Sequence, residues 1–128
     1  MHRLVTFVLG RAAERAAVRH LRRQGYRFIE RNVRLGRDEI DAVFVHDRMV
    51  VFVEVRYRSS GVFTAAQSVD TRKSKSLARA VRAYRAREGL RRTAVRIDVL
   101  AVTRQAGRWS FVHEPGAVAV EGPSALGD

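Results

Sequence analysis

No cysteine occurs in the sequence, so a disulfide framework and a thiolate metal site are both excluded. Long hydrophobic runs are missing as well. Near the N-terminus the run from Leu4 to Leu9 is interrupted by Thr6. It is too short for the apolar region of a signal peptide and far too short to span a bilayer. These absences lead to the expectation of a soluble, cytoplasmic chain with no membrane partner. There is no glycine-rich loop to cradle a phosphate and no Ser-His-Asp pattern. The four histidines, His2, His20, His46 and His113, lack metal-ligand spacing and read as surface residues. Acidic residues are scarce too, with 13 Asp and Glu against 25 Lys and Arg.

What is present begins with that imbalance. A formal charge of +12 favours polyanions, with nucleic acid the leading partner. Solubility alone, or a GC-rich genome that writes Arg for Lys, is the plainer reading of an Arg-dominated chain. The basic residues are unevenly spread, which favours a binding surface. At 128 residues with ordinary apolar content, the chain is one domain able to bury a core without staples.

Periodicity predicts a helix over 8–23, ended before Gly25, with Ala17, Val18 and Leu21 as its apolar stripe. Arg11, Arg15, Arg19 and Arg22 form a basic stripe beside it. Glu14 falls on the apolar side at helical spacing, an unusual place for a solvated acid. A short strand over 26–30 and a polar turn over 31–38 should follow. A hairpin comes next, with strands over 39–45 and 49–58 around a turn at His46-Asp47-Arg48. A second helix should start at Ser68 or Asp70 and run to Glu88, closed by Gly89, with Leu77, Ala80, Val81 and Tyr84 inward. Arg72, Lys75, Arg79, Arg82 and Arg85 should lie largely outside. Strands over 94–102 and 108–114 complete the order α-β-β-β-α-β-β, a mixed α/β layer fold. Residues 1–114 form the domain, and 115–128 read as a weakly structured tail.

The hairpin carries the chemistry. Side chains alternate along a strand, so Val50, Phe52, Glu54, Arg56 and Arg58 share one face. A two- or four-residue loop sets Val45 opposite Val50, Val43 opposite Phe52, Asp41 opposite Glu54 and Glu39 opposite Arg56. An odd loop would shift the register by one. Facing residues stand about 4.5–5.5 Å apart at Cβ, where like charges repel. Two carboxylates on a largely apolar face raise each other's pKa unless something positive lies between them. A hard divalent cation resolves the conflict, and Glu14 could supply a third carboxylate. Each residue also has a plainer role. Glu39 and Arg56 could form a salt bridge, Glu14 could pair with a neighbouring Arg, Asp41 could sit at a strand edge, and Glu54 could pair with Arg56 or Arg58. The combination of facing acids in a basic chain favours the metal.

Asp41, twelve intervening residues, Glu54, one residue and a basic residue resembles the D…E-x-K signature of the PD-(D/E)xK nuclease superfamily. The chain is similar, more closely, to the YraN-like (UPF0102) family. The segments that carry this are Gly10–Ala17 with Glu14, GYRFIERNVR, EID, FVEVRYR, Lys73 with Leu77 and Ala80, and RIDVLAV. The resemblance implies a single-domain, restriction-endonuclease-like α/β fold with a mixed sheet flanked by helices. It implies an endonuclease that hydrolyses phosphodiester bonds of DNA, including branched repair or recombination intermediates, with Mg²⁺ or Mn²⁺ as cofactor. Asp41 and Glu54, helped by the Val55 carbonyl, map onto the metal ligands, and Glu14 onto the helix acid. Arg56 takes the place of the motif lysine, and Asp38 the place of a glycine. Arg keeps the charge but cannot serve as a base, so Arg56 could clamp phosphate or Lys73 could substitute for it. Arg11, Arg15, Arg58, Gln67, Lys73 and Lys75 are the candidate nucleic-acid contacts. Asp98, on a strand face with Arg96, reads as paired. Branched-DNA enzymes of the superfamily act as dimers, so a homodimer is one assembly the resemblance allows. The competing expectation is a non-catalytic nucleic-acid-binding protein on the same scaffold. A third is a cationic adaptor for an acidic protein.

Overall fold

The computed structural model describes residues 3–58 and 69–120. Its elements are α1 (Arg3–Arg23), β1 (Arg27–Leu35), β2 (Asp38–His46), β3 (Met49–Arg58), α2 (Thr71–Glu88), β4 (Val95–Gln105) and β5 (Arg108–Val118). The order α-β-β-β-α-β-β is the one expected. The strands form one sheet in the order β1-β2-β3-β4-β5. Its pairings are antiparallel except β3 with β4, which run parallel because α2 carries the chain across between them.

The two faces of the sheet bury separate clusters. Val43, Phe52, Ile97 and Val99 pack against Leu77, Ala80, Val81 and Tyr84 of α2. Ala42, Phe44, Val51, Val53, Leu100 and Val102 pack against Ala13, Ala17, Val18 and Leu21 of α1. Strand alternation therefore sends neighbouring residues to opposite helices, giving three layers. Both expected inward stripes, on α1 and on α2, are found in the core.

Several boundaries differ from the sequence expectation. Helix α1 starts at Arg3 rather than Val8, since no proline interrupts that segment. Strand β1 runs to Leu35, through most of the expected polar turn, which contracts to Gly36 and Arg37 between paired Leu35 and Asp38. An edge strand keeps one side in water, so polar residues there do not signal a turn. A bulge between Phe28 and Glu30 leaves Ile29 exposed. Strand β5 continues past Glu114 to Val118, whose side chain is buried in the α2-side core.

The β2–β3 turn has the expected even register: His46 pairs Met49, Val45 pairs Val50 and Val43 pairs Phe52. Asp47 and Arg48 both adopt positive φ, 50° and 65°, as a two-residue hairpin loop requires. Helix α2 is capped at its start by Asp70, whose Oδ1 accepts from Lys73 N at 2.8 Å, and at its end by Gly89 at φ 70°. Arg85 corrects the expectation that it points outward. It is buried, and its guanidinium donates to the carbonyls of Leu90, Arg91 and Thr93. Those carbonyls follow the helix end, where Leu90 O also accepts from Thr93 N at 3.1 Å, and the planar fork reaches all three. Among the described residues no helix is long and apolar enough to cross a membrane.

Candidate metal and phosphate site

Ladder pairing between β2 and β3 runs from His46 with Met49 to Ala42 with Val53. The next step in that register sets Asp41 opposite Glu54. Here a side chain takes over from the backbone: Asp41 Oδ2 accepts from Val55 N at 2.8 Å. Glu54 lies on the face that carries Val50 and Phe52, under α2, and is only 3% exposed. Its Oε2 has two cations beside it, Arg56 Nη1 at 3.2 Å and Lys73 Nζ at 3.4 Å. Its Oε1 is buried with no hydrogen-bond partner.

That orphaned oxygen and the titration of Asp41 tell the same story. The Asp41 carboxyl is pushed well above the usual range, first by burial and then by the negative charge of Glu54. The Val55 amide opposes this, while Glu14 and a hydrogen bond with Glu54 add to it. Glu14, on half-buried ground on α1, is also raised. Burial leads, Arg11 opposes, and Glu39 and Glu54 contribute. The three carboxyls thus share one electrostatic neighbourhood, although α1 packs on the other sheet face. Glu14 stands at longer range. Among the described residues no three Asp, Glu, His or Cys side chains close around a point that could hold a metal. The close donor set is the Asp41–Glu54 pair. Hard oxygens, two carboxyls that disfavour each other's charge and an unsatisfied buried Oε1 fit a divalent cation such as Mg²⁺ or Mn²⁺, completed by water and phosphate.

The other sequence candidates are distributed unevenly. Arg56 contacts Glu54, one of the two pairings weighed as the plainer role of Glu54. Glu39 is exposed and stands beside Arg34 in the β1–β2 register. Lys73 joins the site directly, and Lys75, two residues on and so turned well away from it round α2, is exposed. Arg58 is exposed at the end of β3. Arg11 and Arg15 are exposed on α1, across the sheet from α2. Gln67 lies outside the described residues.

Two clusters escaped sequence reasoning. Asp38, noted only for replacing a glycine, is buried and clamped by Arg79 at 2.7 and 2.8 Å and by Ser76 at 3.0 Å. The hydrogen bond from Arg79, helped by Ser76, holds its carboxyl below the usual range against burial. Asp98, fully buried, is paired with Arg96 as expected, at 2.7 and 2.9 Å. It also takes His113 Nε2 at 2.7 Å and the Gly116 amide at 2.9 Å. Burial pushes this carboxyl up, but the hydrogen bonds from His113, Arg96 and Gly116 prevail and hold it low. The surface reading of the histidines is therefore corrected. His113 is built into the Asp98 cluster, His46 stacks on Tyr26 at 3.9 Å, and His20 stacks on Phe111 at 4.0 Å. His2 lies outside the described residues. Burial, followed by His113 and Arg23, depresses the pKa of His20. Only the sheet register brings His113 to Asp98, and no local spacing signals it.

Comparison with known sequences places this geometry in context. The sequence model described as "Uncharacterised protein family UPF0102" matches residues 13–102. A UPF0102 protein of Syntrophotalea carbinolica is 39% identical over 117 residues, covering 89% of this chain and 94% of that one. One from Moorella thermoacetica is 44% identical over 94 residues, covering 73% and 78%. One from Myxococcus xanthus is 38% identical over 109 residues, covering 84% and 86%. The matched span contains Glu14, Asp41, Glu54, Arg56 and Lys73.

Proposed function

The chain belongs to the UPF0102 family, and from that premise we propose that it is a metal-dependent nuclease of the PD-(D/E)xK type. It would hydrolyse phosphodiester bonds of DNA, in the cytoplasm. One observation carries the reading. Two facing carboxyls, Asp41 and Glu54, are held on a largely apolar sheet face with a buried oxygen left unsatisfied and two cations alongside. A purely structural acid would have donors on both of its buried oxygens, as Asp38 and Asp98 do.

Asp41 and Glu54 would hold the ion, and the Val55 amide orients Asp41 by occupying one of its oxygens. When bound, Mg²⁺ or Mn²⁺ supplies a Lewis acid that offsets phosphoryl charge and acidifies water. Glu14 adds negative charge from α1 and can hold a water by hydrogen bond. Arg56 and Lys73 offset the charge of Glu54 and offer donors to phosphate oxygens from the same side. Of the two, only the lysine is of a type that can exchange a proton, because an arginine stays protonated.

A second reading has its own support. Arg56 stands at the motif lysine and is engaged with Glu54, which favours a nucleic-acid-binding protein that has kept the scaffold and lost turnover. Labelled single-stranded, duplex, flap and four-way DNA, incubated with Mg²⁺, Mn²⁺ or EDTA, separates the two. Cleavage that needs metal and disappears in Asp41→Asn and Glu54→Gln supports the nuclease. Binding without cleavage, with cutting restored by Arg56→Lys, supports the second reading. If no variant cuts and none binds Mn²⁺, the metal site does not exist.

A further inference from the structure

Several cavities open along the first turns of α2; one of about 340 Å³ faces Val118 and Ala119, and two others share a wall. The smaller, about 280 Å³, is lined by Arg56, Asp70, Arg72, Lys73 and Ser76. The larger, about 710 Å³, is lined by Arg37, Asp38, Thr71, Arg72, Lys75, Ser76 and Arg79. Arg72 and Ser76 belong to both, so the two are neighbours across a shared wall. The smaller reaches Arg56 and Lys73, the cations on Glu54. Together they trace a groove from the carboxylate pair, along α2, to the β1–β2 turn.

The charges of this groove are organised. Each cavity contains one acid, and each acid is occupied. Asp70 caps α2 through Lys73 N, and Asp38 is taken bidentately by Arg79 and by Ser76. The Asp38 clamp ties the start of β2 to α2 and so holds the turn bearing Arg37 beside the helix. What remains on the wall of the larger cavity is Arg37, Arg72 and Lys75, all exposed. Lys73 and Lys75 are the chain's only lysines, in a sequence that otherwise writes arginine, and they line these cavities.

Neither lining contains an aromatic residue. A surface that reads bases of single strands stacks them on aromatic rings, whereas one that grips the backbone needs cations and hydroxyls. This groove has the second composition. We propose that it is a phosphate-backbone track, in which Arg37, Arg72 and Lys75 hold phosphates flanking the one presented to Glu54, without regard to base sequence. The assignment rests on the phosphodiesterase reading for its direction, because the carboxylate pair marks where the track ends.

The test is the salt dependence of binding, in EDTA so that no cleavage intervenes. The probes are two labelled duplexes of unrelated sequence. The variant is Arg37→Gln/Arg72→Gln/Lys75→Gln, and the control is Arg91→Gln/Arg92→Gln, exposed arginines beyond the far end of α2. Each phosphate contact contributes about 0.9 to the slope of log K against log salt, so the triple variant should flatten it by about 2–3. The control should move it much less, and both duplexes should respond alike. An unchanged slope in a folded triple variant overturns the track. So does an equal effect per charge in the control, or a response confined to one sequence. Cleavage in Mn²⁺ is scored separately: loss of slope with no cleavage by wild type leaves the track standing and removes the nuclease. Cleavage with an unchanged slope does the reverse.

Discussion

Asp41 Oδ2 accepts from the amide of Val55 at 2.8 Å, two residues along β3 from the last β2–β3 ladder pair, Ala42 with Val53. An acid side chain thus satisfies a strand amide where ladder pairing stops. The same bond fixes that acid opposite Glu54. Structure and chemistry therefore compete at this point, and the competition can be measured.

Asp41→Asn should make the metal-free protein more stable near neutral pH. Because the folded-state pKa of Asp41 is raised, the folded chain holds that proton more tightly than the unfolded chain does. Its contribution is favourable at low pH and is lost as pH rises through the folded value. Asparagine keeps an oxygen for the Val55 amide and carries no charge. Thermal melts in EDTA at neutral pH should show a higher Tm for the variant, and Mn²⁺ titration should show stabilisation of wild type alone. Cleavage should fall at least about a thousandfold, since several kcal/mol of charge stabilisation leaves with the ion. A lower Tm in EDTA would mean that Asp41 is an ordinary structural acid.

Arg56→Lys should raise metal-dependent cleavage by about tenfold or more, within the range that proton-transfer groups contribute. The substituted lysine keeps the positive charge beside Glu54 and adds a group that can exchange a proton. Initial rates across pH decide the point. Equal rates with unchanged pH profiles would show that charge alone is required at this position.

Asp98→Asn should cost about 3–5 kcal/mol in unfolding free energy, the scale of breaking one side of a buried ion pair. Asparagine keeps one acceptor oxygen, so Arg96 would lose its bidentate partner and either His113 or the Gly116 amide its acceptor. The pH dependence carries a sign. The folded-state pKa of Asp98 is lowered from 3.8, so its stabilisation is complete above that value and drains away as pH falls below it. Asp38, lowered in the same direction, adds to the same acid limb. Urea melts at a series of acidic pH values should show a shallower decline for the variant than for wild type.

Arg85→Met should destabilise by about 2–3 kcal/mol, because the carbonyls of Leu90, Arg91 and Thr93 lose charge-assisted hydrogen bonds from one buried guanidinium. Arg85→Lys should recover only part of this, since one ammonium cannot span Leu90, Arg91 and Thr93 as the guanidinium does. Chemical denaturation of the three proteins tests the ranking. Full recovery by lysine would mean that charge, not the fork, matters there.

Much of this was legible in residue order. The inward stripe of α2, the cap at Gly89 and the even register of Asp41 against Glu54 follow from periods of 3.6 and 2 and from the loop length. Arg85 and His113 were misjudged for a shared reason. A long polar side chain reads as surface until a remote segment brings it acceptors, and here the segments after α2 and around Gly116 do so. Asp38 was legible only as an irregularity in a motif.

The sequence by itself determined the element order, the two buried helix stripes and which acids share a strand face. Those depend on local dihedral preferences and on alternation, which act over a few residues. Tertiary structure alone decided that Lys73 reaches Glu54, that Arg79 takes Asp38 out of play, and that Arg37 lies along the groove with Arg72 and Lys75. Such contacts join residues far apart in the chain, and their charges act over distances that only the packing of helix on sheet can set.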